Sequence, residues 1–183
     1  VTVSDGELSD LKSIIVTIIP VNDAPVLVSI ENRFFDEDSE LNILLSASDI
    51  DGDDLTYSIT DGINITPNLS GSDVSFNPSE NFNGTESFTI TVTDGELLDS
   101  QTFTITVNAV NDAPVLAVVS DVSFDEDTSG SISLSASDVD GDDLTYSISA
   151  GTDIAATLSG SDVSFSASDN FNGSETFTIT VGD

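Results

Sequence analysis

The sequence repeats itself with a fixed offset of 89 residues. The segment VNDAP at Val21–Pro25 returns at Val110–Pro114, and NFNG at Asn81–Gly84 returns at Asn170–Gly173. A period of this length indicates one folding unit of domain size that is used more than once. The functional question is therefore what an array of such units does, rather than what a single domain catalyses.

Strand signals dominate each repeat. Apolar and hydroxyl residues alternate along Ser87–Thr93 and again along Thr102–Val107, with the turn dipeptide Asp94-Gly95 between them. Alternation of period 2 is typical of half-buried strands, so these segments predict a β-hairpin. No segment has a convincing helical period. Further strands are predicted at Leu41–Ser48, Leu55–Ile59 and Asp73–Phe76.

About seven short strands per repeat predict an all-β protein of tandem Greek-key, immunoglobulin-like β-sandwiches arranged end to end. Large apolar residues recur at matching positions of the two repeats and are expected to fill two equivalent cores. In the first repeat these are Phe35, Tyr57, Phe76, Phe82, Phe88, Ile90 and Val92, and in the second Phe124, Tyr146, Phe165, Phe171, Phe177, Ile179 and Val181.

The VNDAP segments mark the expected domain boundaries. Residues 1–20 are predicted to be the last hairpin of an upstream repeat, and residues 21–109 a complete repeat. Residues 110–183 are predicted to be a second repeat that lacks its final strand, the counterpart of Thr102–Asn108. In the same register, Ser13–Ile19 corresponds to that final strand, so the chain is expected to be a piece of a longer array.

Composition limits the partners. The formal net charge is −32, because 34 acidic residues face only Lys12 and Arg33. Nucleic acid and anionic membrane surfaces are excluded as partners, since both require clustered basic residues. No apolar run reaches the length of a membrane span, so no direct membrane insertion is expected. Cysteine and histidine are absent, which removes disulfides, the commonest general base and the usual transition-metal ligands.

The acidic motifs carry the remaining chemical information. The run Asp49–Asp54 is not an EF-hand loop, because glycine stands at its fourth position as Gly52 and Thr60 occupies the twelfth, where that loop requires glutamate. Asp is also common in solvated turns, which is the plainer explanation of these residues. Catalysis by paired carboxylates is not expected, since nothing in the sequence positions a cleft, so we predict that the chain is not an enzyme.

The order of motifs through the repeat is more informative. An Asn-Asp-Ala-Pro linker is followed by Phe35–Asp38 (FDED), Ser48–Asp51 (SDID), Tyr57–Ile59 (YSI) and Thr91–Asp94 (TVTD). This order resembles the cadherin family, and more closely the bacterial cadherin-like repeats of giant surface adhesins. The resemblance covers nearly the whole chain. The cadherin Asp-Arg-Glu motif is missing, and Pro20 and Ala109 stand where cadherin linkers carry a further Asp.

The resemblance implies Ca²⁺ bound where consecutive sandwiches join. The ligands would come from a linker Asn-Asp, an Asp-x-Asp pair, an Asp that ends a late strand, and a Glu of the upstream domain. Carried over, the first set is Asn22, Asp23, Asp49, Asp51 and Asp94, and the second is Asn111, Asp112, Asp138, Asp140 and Asp183, with Glu37 from upstream.

These expectations lead to a structural function. Calcium would remove the repulsion between crowded carboxylates and stiffen an extracellular stalk of a bacterial adhesin or surface fibre, of the kind used in cell adhesion and biofilms. The partners would be neighbouring repeats of the same chain. Two alternatives stay open: a filament in which Ser13–Ile19 of one copy completes the second sandwich of another, and a module that recognises carbohydrate or other cells. The absence of tryptophan argues against carbohydrate recognition.

Overall fold

The computed structural model describes residues 1–183, which form eighteen β-strands and no helix. The chain divides into two compact units, Val1–Val107 and Asn108–Asp183. The predicted all-β class is confirmed. The structure contains no helix with the length and hydrophobicity that crossing a membrane would require.

The first unit begins with a short isolated hairpin and continues with nine strands. The hairpin consists of β1 (Thr2–Ser4) and β2 (Ser9–Leu11), and all six of its strand residues are exposed. The following strands are β3 (Val26–Leu27), β4 (Arg33–Asp36), β5 (Leu41–Leu44), β6 (Ala47–Ser48), β7 (Thr56–Ile59), β8 (Ile65–Ser70), β9 (Asp73–Pro78), β10 (Gly84–Thr93) and β11 (Leu98–Asn108).

The sandwich of the first unit is built on one long antiparallel pair. Strands β10 and β11 pair over ten residue positions, from Gly84 opposite Val107 to Thr93 opposite Leu98. They form the centre of a four-stranded sheet in the order β4-β11-β10-β7. The facing strands pair as β5-β9-β8, with β3 pairing β6 beside them. The neighbours β7 and β10 are not consecutive in the chain, as a Greek key requires.

The core of this unit lies between the two layers. Its centre is a cluster of three aromatic rings, in which Phe76 contacts Phe88 edge-on at 5.0 Å and Phe103 at 6.0 Å between centroids. Phe76, Phe88, Ile90 and Val92 are buried as predicted, and Phe35, Tyr57 and Phe82 pack partly buried against them. The inward face of β11 completes the core with Phe103, Ile105 and Val107.

The prediction of one continuous strand over Leu41–Ser48 is wrong. The backbone changes partner there, since β5 pairs β9 whereas β6 pairs β3. The alternation of burial still passes through the break, with Ile43 and Leu45 both buried. The sequence pattern therefore predicted correctly which side chains face the core, but it could not predict which strand each segment pairs with. The sequence analysis did not predict strand β8, which contains Pro67. Proline is tolerated there because β8 lies at the edge of its sheet.

The second unit contains shorter strands. They are β12 (Val115–Leu116), β13 (Ser129–Ser133), β14 (Ala136–Ser137), β15 (Thr145–Ile148), β16 (Ile154–Ser159), β17 (Asp162–Ala167) and β18 (Ile179–Gly182). They pair as β13-β17-β16, β12-β14 and β15-β18. Strand β18 has four residues where its counterpart β10 has ten.

The second core is smaller than the first, so the prediction of two equivalent cores is wrong in extent. Only Leu134, Val163 and Phe165 are buried, whereas twelve residues are buried in the first core. Phe124, Tyr146, Phe177 and Ile179 are only partly buried against this cluster, and Phe171 and Val181 are half-buried outside it. The reason is that no strand of this unit occupies the position of β11.

A carboxylate in each unit organises the loop that enters the second layer. Glu86 accepts hydrogen bonds from the backbone N–H groups of Ile63, Asn64 and Ile65 and from the Asn64 side chain. Its counterpart Glu175 accepts from the N–H groups of 152–154. A carboxylate that accepts hydrogen bonds from several N–H groups provides partners for the backbone of a loop that pairs with no strand.

These contacts set the charge state of both groups. Burial alone would raise the pKa of Glu86, but the hydrogen bonds from Asn64, Ile63 and Ile65 outweigh it and hold that pKa below its usual value. The bond from Asp153 is the largest cause that lowers the pKa of Glu175. Burial opposes it, and the bonds from Ile154 and Thr152 add to the lowering, so that the pKa lies below its usual value. Both groups are therefore held as carboxylates in the folded state.

We expect Glu86→Gln to destabilise the first unit by about 1–2 kcal/mol at pH 7, because a neutral amide offers one acceptor oxygen to several donors. A depressed folded pKa gives stability that is complete above the unfolded value of about 4.3 and is lost as the pH falls through the folded value. The variant should therefore lose less stability than the wild type on acidification. Urea unfolding between pH 7 and pH 3 measures both effects.

The matched control is Glu80→Gln, which removes the same charge from an exposed residue of the same unit. This control should leave the free energy of unfolding at pH 7 within about 0.5 kcal/mol of wild type. Equal losses in the two variants would show that net charge, rather than the loop contacts of Glu86, produces the effect.

Candidate metal centre

Three loops of the first unit meet at one end of its sandwich. Val26 pairs with Ser48, so the segment before β3 and the loop after β6 lie side by side. Thr93 pairs with Thr56, so the loop before β7 and the turn after β10 also share one end. Strand pairing therefore brings Asn22-Asp23, the run Asp49–Asp54 and Asp94 to the same edge.

The loop after β6 folds around Asp49. The Asp49 Oδ1 atom accepts hydrogen bonds from the N–H groups of Asp51 at 2.8 Å and Gly52 at 3.1 Å, which is an Asx turn. Gly52 has a φ of 81°, a left-handed conformation that glycine adopts without steric cost. This turn places alternate carboxylates on one side of the loop.

The result is a group of three like charges. Carboxylate oxygens of Asp49, Asp51 and Asp53 all lie within 4.8 Å of one another. Asp51 and Asp53 are exposed, whereas Asp49 is half-buried. Two unit charges 4 Å apart repel by about 1 kcal/mol in water and by more where the solvent is excluded. No basic residue stands in this run to offset that repulsion.

The linker is tied to this group by two hydrogen bonds. The Asp23 N–H donates to Asp51 Oδ2 at 2.8 Å, and the Asn22 Nδ2 donates to Asp94 Oδ2 at 2.9 Å. The structure thus joins each of the two linker residues to one of the predicted ligands. In both pairs the bond links residues that are far apart in sequence.

Asp94 also holds the turn between β10 and β11. Its Oδ1 atom accepts hydrogen bonds from the N–H groups of Leu97 and Glu96, each at 2.7 Å. The pKa of Asp94 lies below its usual value because of these contacts. The bond from Leu97 has the largest effect, followed by the bond from Glu96 and then by the bond from the Asn22 side chain. Asp94 is therefore a carboxylate that offers one oxygen to the turn and the other to the linker.

The second unit repeats this arrangement. Asp138 Oδ1 accepts from the N–H groups of Asp140 at 2.9 Å and Gly141 at 3.1 Å. The Asn111 Nδ2 donates to Asp183 Oδ2 at 2.6 Å, and the Asp112 N–H donates to Asp140 Oδ2 at 2.7 Å. Carboxylate oxygens of Asp138, Asp140 and Asp142 again lie within 4.8 Å of one another.

One oxygen in each group lacks a partner. The Oδ2 atoms of Asp49 and Asp138 are shielded from solvent and receive no hydrogen bond. A carboxylate oxygen that has lost water without gaining a donor is costly unless a cation or a proton satisfies it. The same atom is orphaned in both units, although the two units pack their cores differently.

The donor set suits a hard cation. It consists of carboxylate and amide oxygens with no nitrogen or sulfur ligand, which matches Ca²⁺ rather than a transition metal. The orphaned oxygens of Asp49 and Asp138 fit such an ion, since each lies in a group of three carboxylates.

Sequence reasoning missed two members of these groups. Asp53 and Asp142 stand two residues beyond the Asp-x-Asp pairs, and their period-2 spacing along the loop could have indicated them. Glu37 follows β4 in the first unit, and only 3% of its surface is exposed. Its predicted role as a ligand of the second set stays a prediction.

Comparison with known proteins gives one family and several relatives of similar fold. A family model described as bacterial Ig domain matches residues 22–107 and again 111–183. Human protocadherin-24 EC1-2 aligns with 88% of this chain and 94% of its own, with a TM-score of 0.54 and 21% identity. Drosophila N-cadherin EC1-4 aligns with 87% of this chain and 45% of its own, with a TM-score of 0.53 and 19% identity. At these identities the likeness shows the fold alone.

One curated relative is similar in sequence. Chitinase A of Pseudoalteromonas piscicida is 36% identical over 111 residues, which is 58% of this chain but only 14% of that protein. The chain thus spans about a seventh of the length of this relative. The similarity is therefore to one part of a much longer protein.

We expect Asp53→Asn to stabilise the metal-free first unit at low ionic strength by about 1 kcal/mol, because it removes one of three adjacent charges. The gain should shrink in 1 M NaCl, where the screening length falls to about 3 Å. Asp61→Asn is the matched control, since it removes one exposed charge of the same unit outside the group. Thermal melts in chelator at low and high salt would contradict the interpretation if both variants gained equally.

Proposed function

We propose, for a chain that belongs to the bacterial Ig domain family, a calcium-dependent structural role as a spacer repeat of a larger extracellular bacterial protein. The observation that carries the proposal is the orphaned, shielded oxygen of Asp49 and of Asp138, each within a group of three carboxylates. The tandem immunoglobulin-like, cadherin-like fold supplies the context in which such a site has a mechanical use.

The ligands come from residues that the fold already brings together. In the first unit we assign Asp49, Asp51 and Asp53 as the central carboxylates, with Asp94 and the linker residues Asn22 and Asp23 next to them. In the second unit the same roles fall to Asp138, Asp140 and Asp142, with Asp183, Asn111 and Asp112. These sets offer enough oxygens for the six to eight that Ca²⁺ takes.

Calcium would stiffen the chain by neutralising the repulsion between the carboxylates. Without a cation, repulsion within each group opposes the close approach of the linker, the loop after β6 and the turn after β10. A divalent ion reverses that repulsion and fastens three separate segments at once. The chain holds two basic residues against 34 acidic ones, so external cations are the main source of countercharge.

The sequence similarity to part of a longer protein supports a spacer role. The similar segment of the Pseudoalteromonas piscicida chitinase A occupies a small part of that protein. A segment that makes up a small part of a long protein is expected to position the other domains of that protein. We therefore propose a stalk segment of a surface adhesin or fibre, or of a secreted multidomain enzyme, with repeat boundaries near residues 21 and 110.

Recognition of carbohydrate is the weaker alternative. Sugar-binding surfaces usually present exposed aromatic rings, and the sequence has no tryptophan. Tyr57 and Tyr146 are partly buried in the two cores, and Phe34 is the one exposed aromatic side chain. A single exposed ring does not make a binding platform.

We expect Ca²⁺ to raise the melting temperature of the 183-residue chain with a dissociation constant of about 10⁻⁴ to 10⁻³ M, as in extracellular calcium modules. At 100 times that constant the gain would be about 2.7 kcal/mol for each site. Isothermal titration calorimetry and thermal melting measure the two quantities. Unchanged melting between chelator and 10 mM Ca²⁺ would remove calcium from the proposal.

The variants Asp53→Asn and Asp61→Asn separate binding from general charge screening. In calcium, Asp53→Asn should weaken binding at least tenfold and melt below wild type, although the same variant is expected to be the more stable one in chelator. Asp61→Asn should bind as wild type does. Mg²⁺ at the same concentration controls for ionic strength, since it demands a smaller octahedral site.

A further inference from the structure

The outer face of the four-stranded sheet of the first unit is built from uncharged hydroxyl side chains. Alternate residues of β7, β10 and β11 point into the core, so the residues between them point away from it. We call the surface that these outward residues form the hydroxyl face. Its members are Thr56, Ser58, Thr85, Ser87, Thr89, Thr91, Thr93, Ser100, Thr102, Thr104 and Thr106.

An exposed aromatic ring lies at the border of the hydroxyl face. Phe35 packs partly buried against the core, so its neighbour Phe34 points to the opposite side of the sheet. The Phe34 side chain is 76% exposed. Strand β4 is the edge strand next to β11, which places the ring beside the outward row of β11. Aromatic side chains are enriched in the centres of protein interfaces, because covering them removes a large apolar area from water.

Part of the hydroxyl face has its hydrogen bonds satisfied within the sheet. The hydroxyl oxygens of Thr89 and Thr102 lie 2.8 Å apart across the two central strands, and those of Thr85 and Thr106 lie 3.3 Å apart. A hydroxyl that already has a protein partner loses less when water is removed from it. A partner can therefore cover these strands at a lower desolvation cost than their polar composition indicates.

Charge limits where two copies of this chain can meet. With a net charge of −32, a contact between copies is unfavourable wherever it brings carboxylates together. Among the outward residues of β4, β7, β10 and β11, the acidic one is Asp36, at the end of β4. The opposite flank of the sandwich is less suitable, since its exposed Leu44 stands directly opposite Asp73 in the pairing of β5 with β9.

The chemistry of the hydroxyl face is complementary to itself. Each hydroxyl both donates and accepts hydrogen bonds, so a second copy of the same face offers matching groups, whereas a charged partner would find no opposite charge. The ten paired positions of β10 and β11, with four residues each of β4 and β7, cover about 450 Å² per copy. Two such faces cover about 900 Å², which is typical of weak, transient contacts.

We propose that two copies of this chain associate weakly through the hydroxyl face of the first unit, with Phe34 as the apolar anchor. The same patch meets itself, so the contact is isologous and closes as a pair. From its area we expect a dissociation constant of about 10⁻⁴ M. The contact does not involve the carboxylate groups, so it is independent of calcium and adds lateral association to the spacer role.

The first test compares Phe34→Ser with Leu44→Ser. Both replace an exposed apolar side chain of the first unit, since Leu44 is 72% exposed, but on opposite flanks of the sandwich. Sedimentation equilibrium in chelator at 10 to 500 µM measures the dimer fraction. We expect Phe34→Ser to weaken association at least about tenfold, because each pair loses two rings, and Leu44→Ser to associate as the wild type does. Equal weakening by both variants overturns the proposal, since it would indicate unspecific apolar contact.

The second test adds charge to one flank or to the other. Ser87→Glu with Thr102→Glu places two carboxylates on the hydroxyl face, whereas Thr66→Glu with Ser70→Glu places two at exposed positions of β8. The first double variant should be monomeric at 500 µM, and the second should keep the dimer. Raising NaCl from 20 to 500 mM should strengthen the wild-type dimer, because salt screens the repulsion between the acidic copies.

Amide chemical shifts locate the contact in a dilution series of the wild type. Shifts that change with concentration should map to β4, β10 and β11, and those of β8 and β9 should stay constant. A wild-type chain that is monomeric at every concentration overturns the proposal, as do concentration-dependent shifts that lie outside the hydroxyl face. If the chain is monomeric and cellohexaose shifts the Phe34 amide, the face binds carbohydrate instead of a second copy.

Discussion

The antiparallel pairing of β10 with β11 is the interaction on which the sandwich depends. In the first unit it runs over ten residue pairs and places six buried residues of the two strands in the core around Phe76. In the second unit the position of β11 is not filled, and the consequences extend beyond one edge. The core contracts to three buried residues, and the strand equivalent to β10 survives only where β15 pairs with it.

The acidic loops have the same structure in both units, although the two cores differ in size. Although the second core is reduced, the Asx turn at Asp138 and the bond between Asp112 and Asp140 have the same geometry as those at Asp49 and between Asp23 and Asp51. The loops depend on the short pairs β12-β14 and β15-β18, which do not include β11. The carboxylate groups are therefore built on the part of the sandwich that is common to both units.

Much of this architecture could be predicted from the sequence, because its signals are local. The alternation in Ser87–Thr93 and the Asp94-Gly95 turn predicted the central hairpin, and the fixed period predicted that the two units share their topology. The change of partner within Leu41–Ser48 could not be predicted, since side-chain alternation is the same on either side of it. The bonds that join Asn22 to Asp94 and Asp23 to Asp51 depend on tertiary pairing, and only the order of motifs indicated that these residues would meet.

The inward residues of β11 contribute a large share of the stability of the first unit. Burying a Phe, Ile or Val side chain is worth about 1.5–3 kcal/mol, so the three inward residues of β11 contribute roughly 5–9 kcal/mol to the first unit. The total stability of a small domain is about 5–15 kcal/mol. This single strand therefore contributes an amount comparable to the whole stability of a small domain. The carboxylate groups act in the opposite direction, since their mutual repulsion opposes folding in the absence of a cation. A cation bound at these groups would add a contribution separate from that of the core, because oxygen atoms rather than apolar side chains lack partners there.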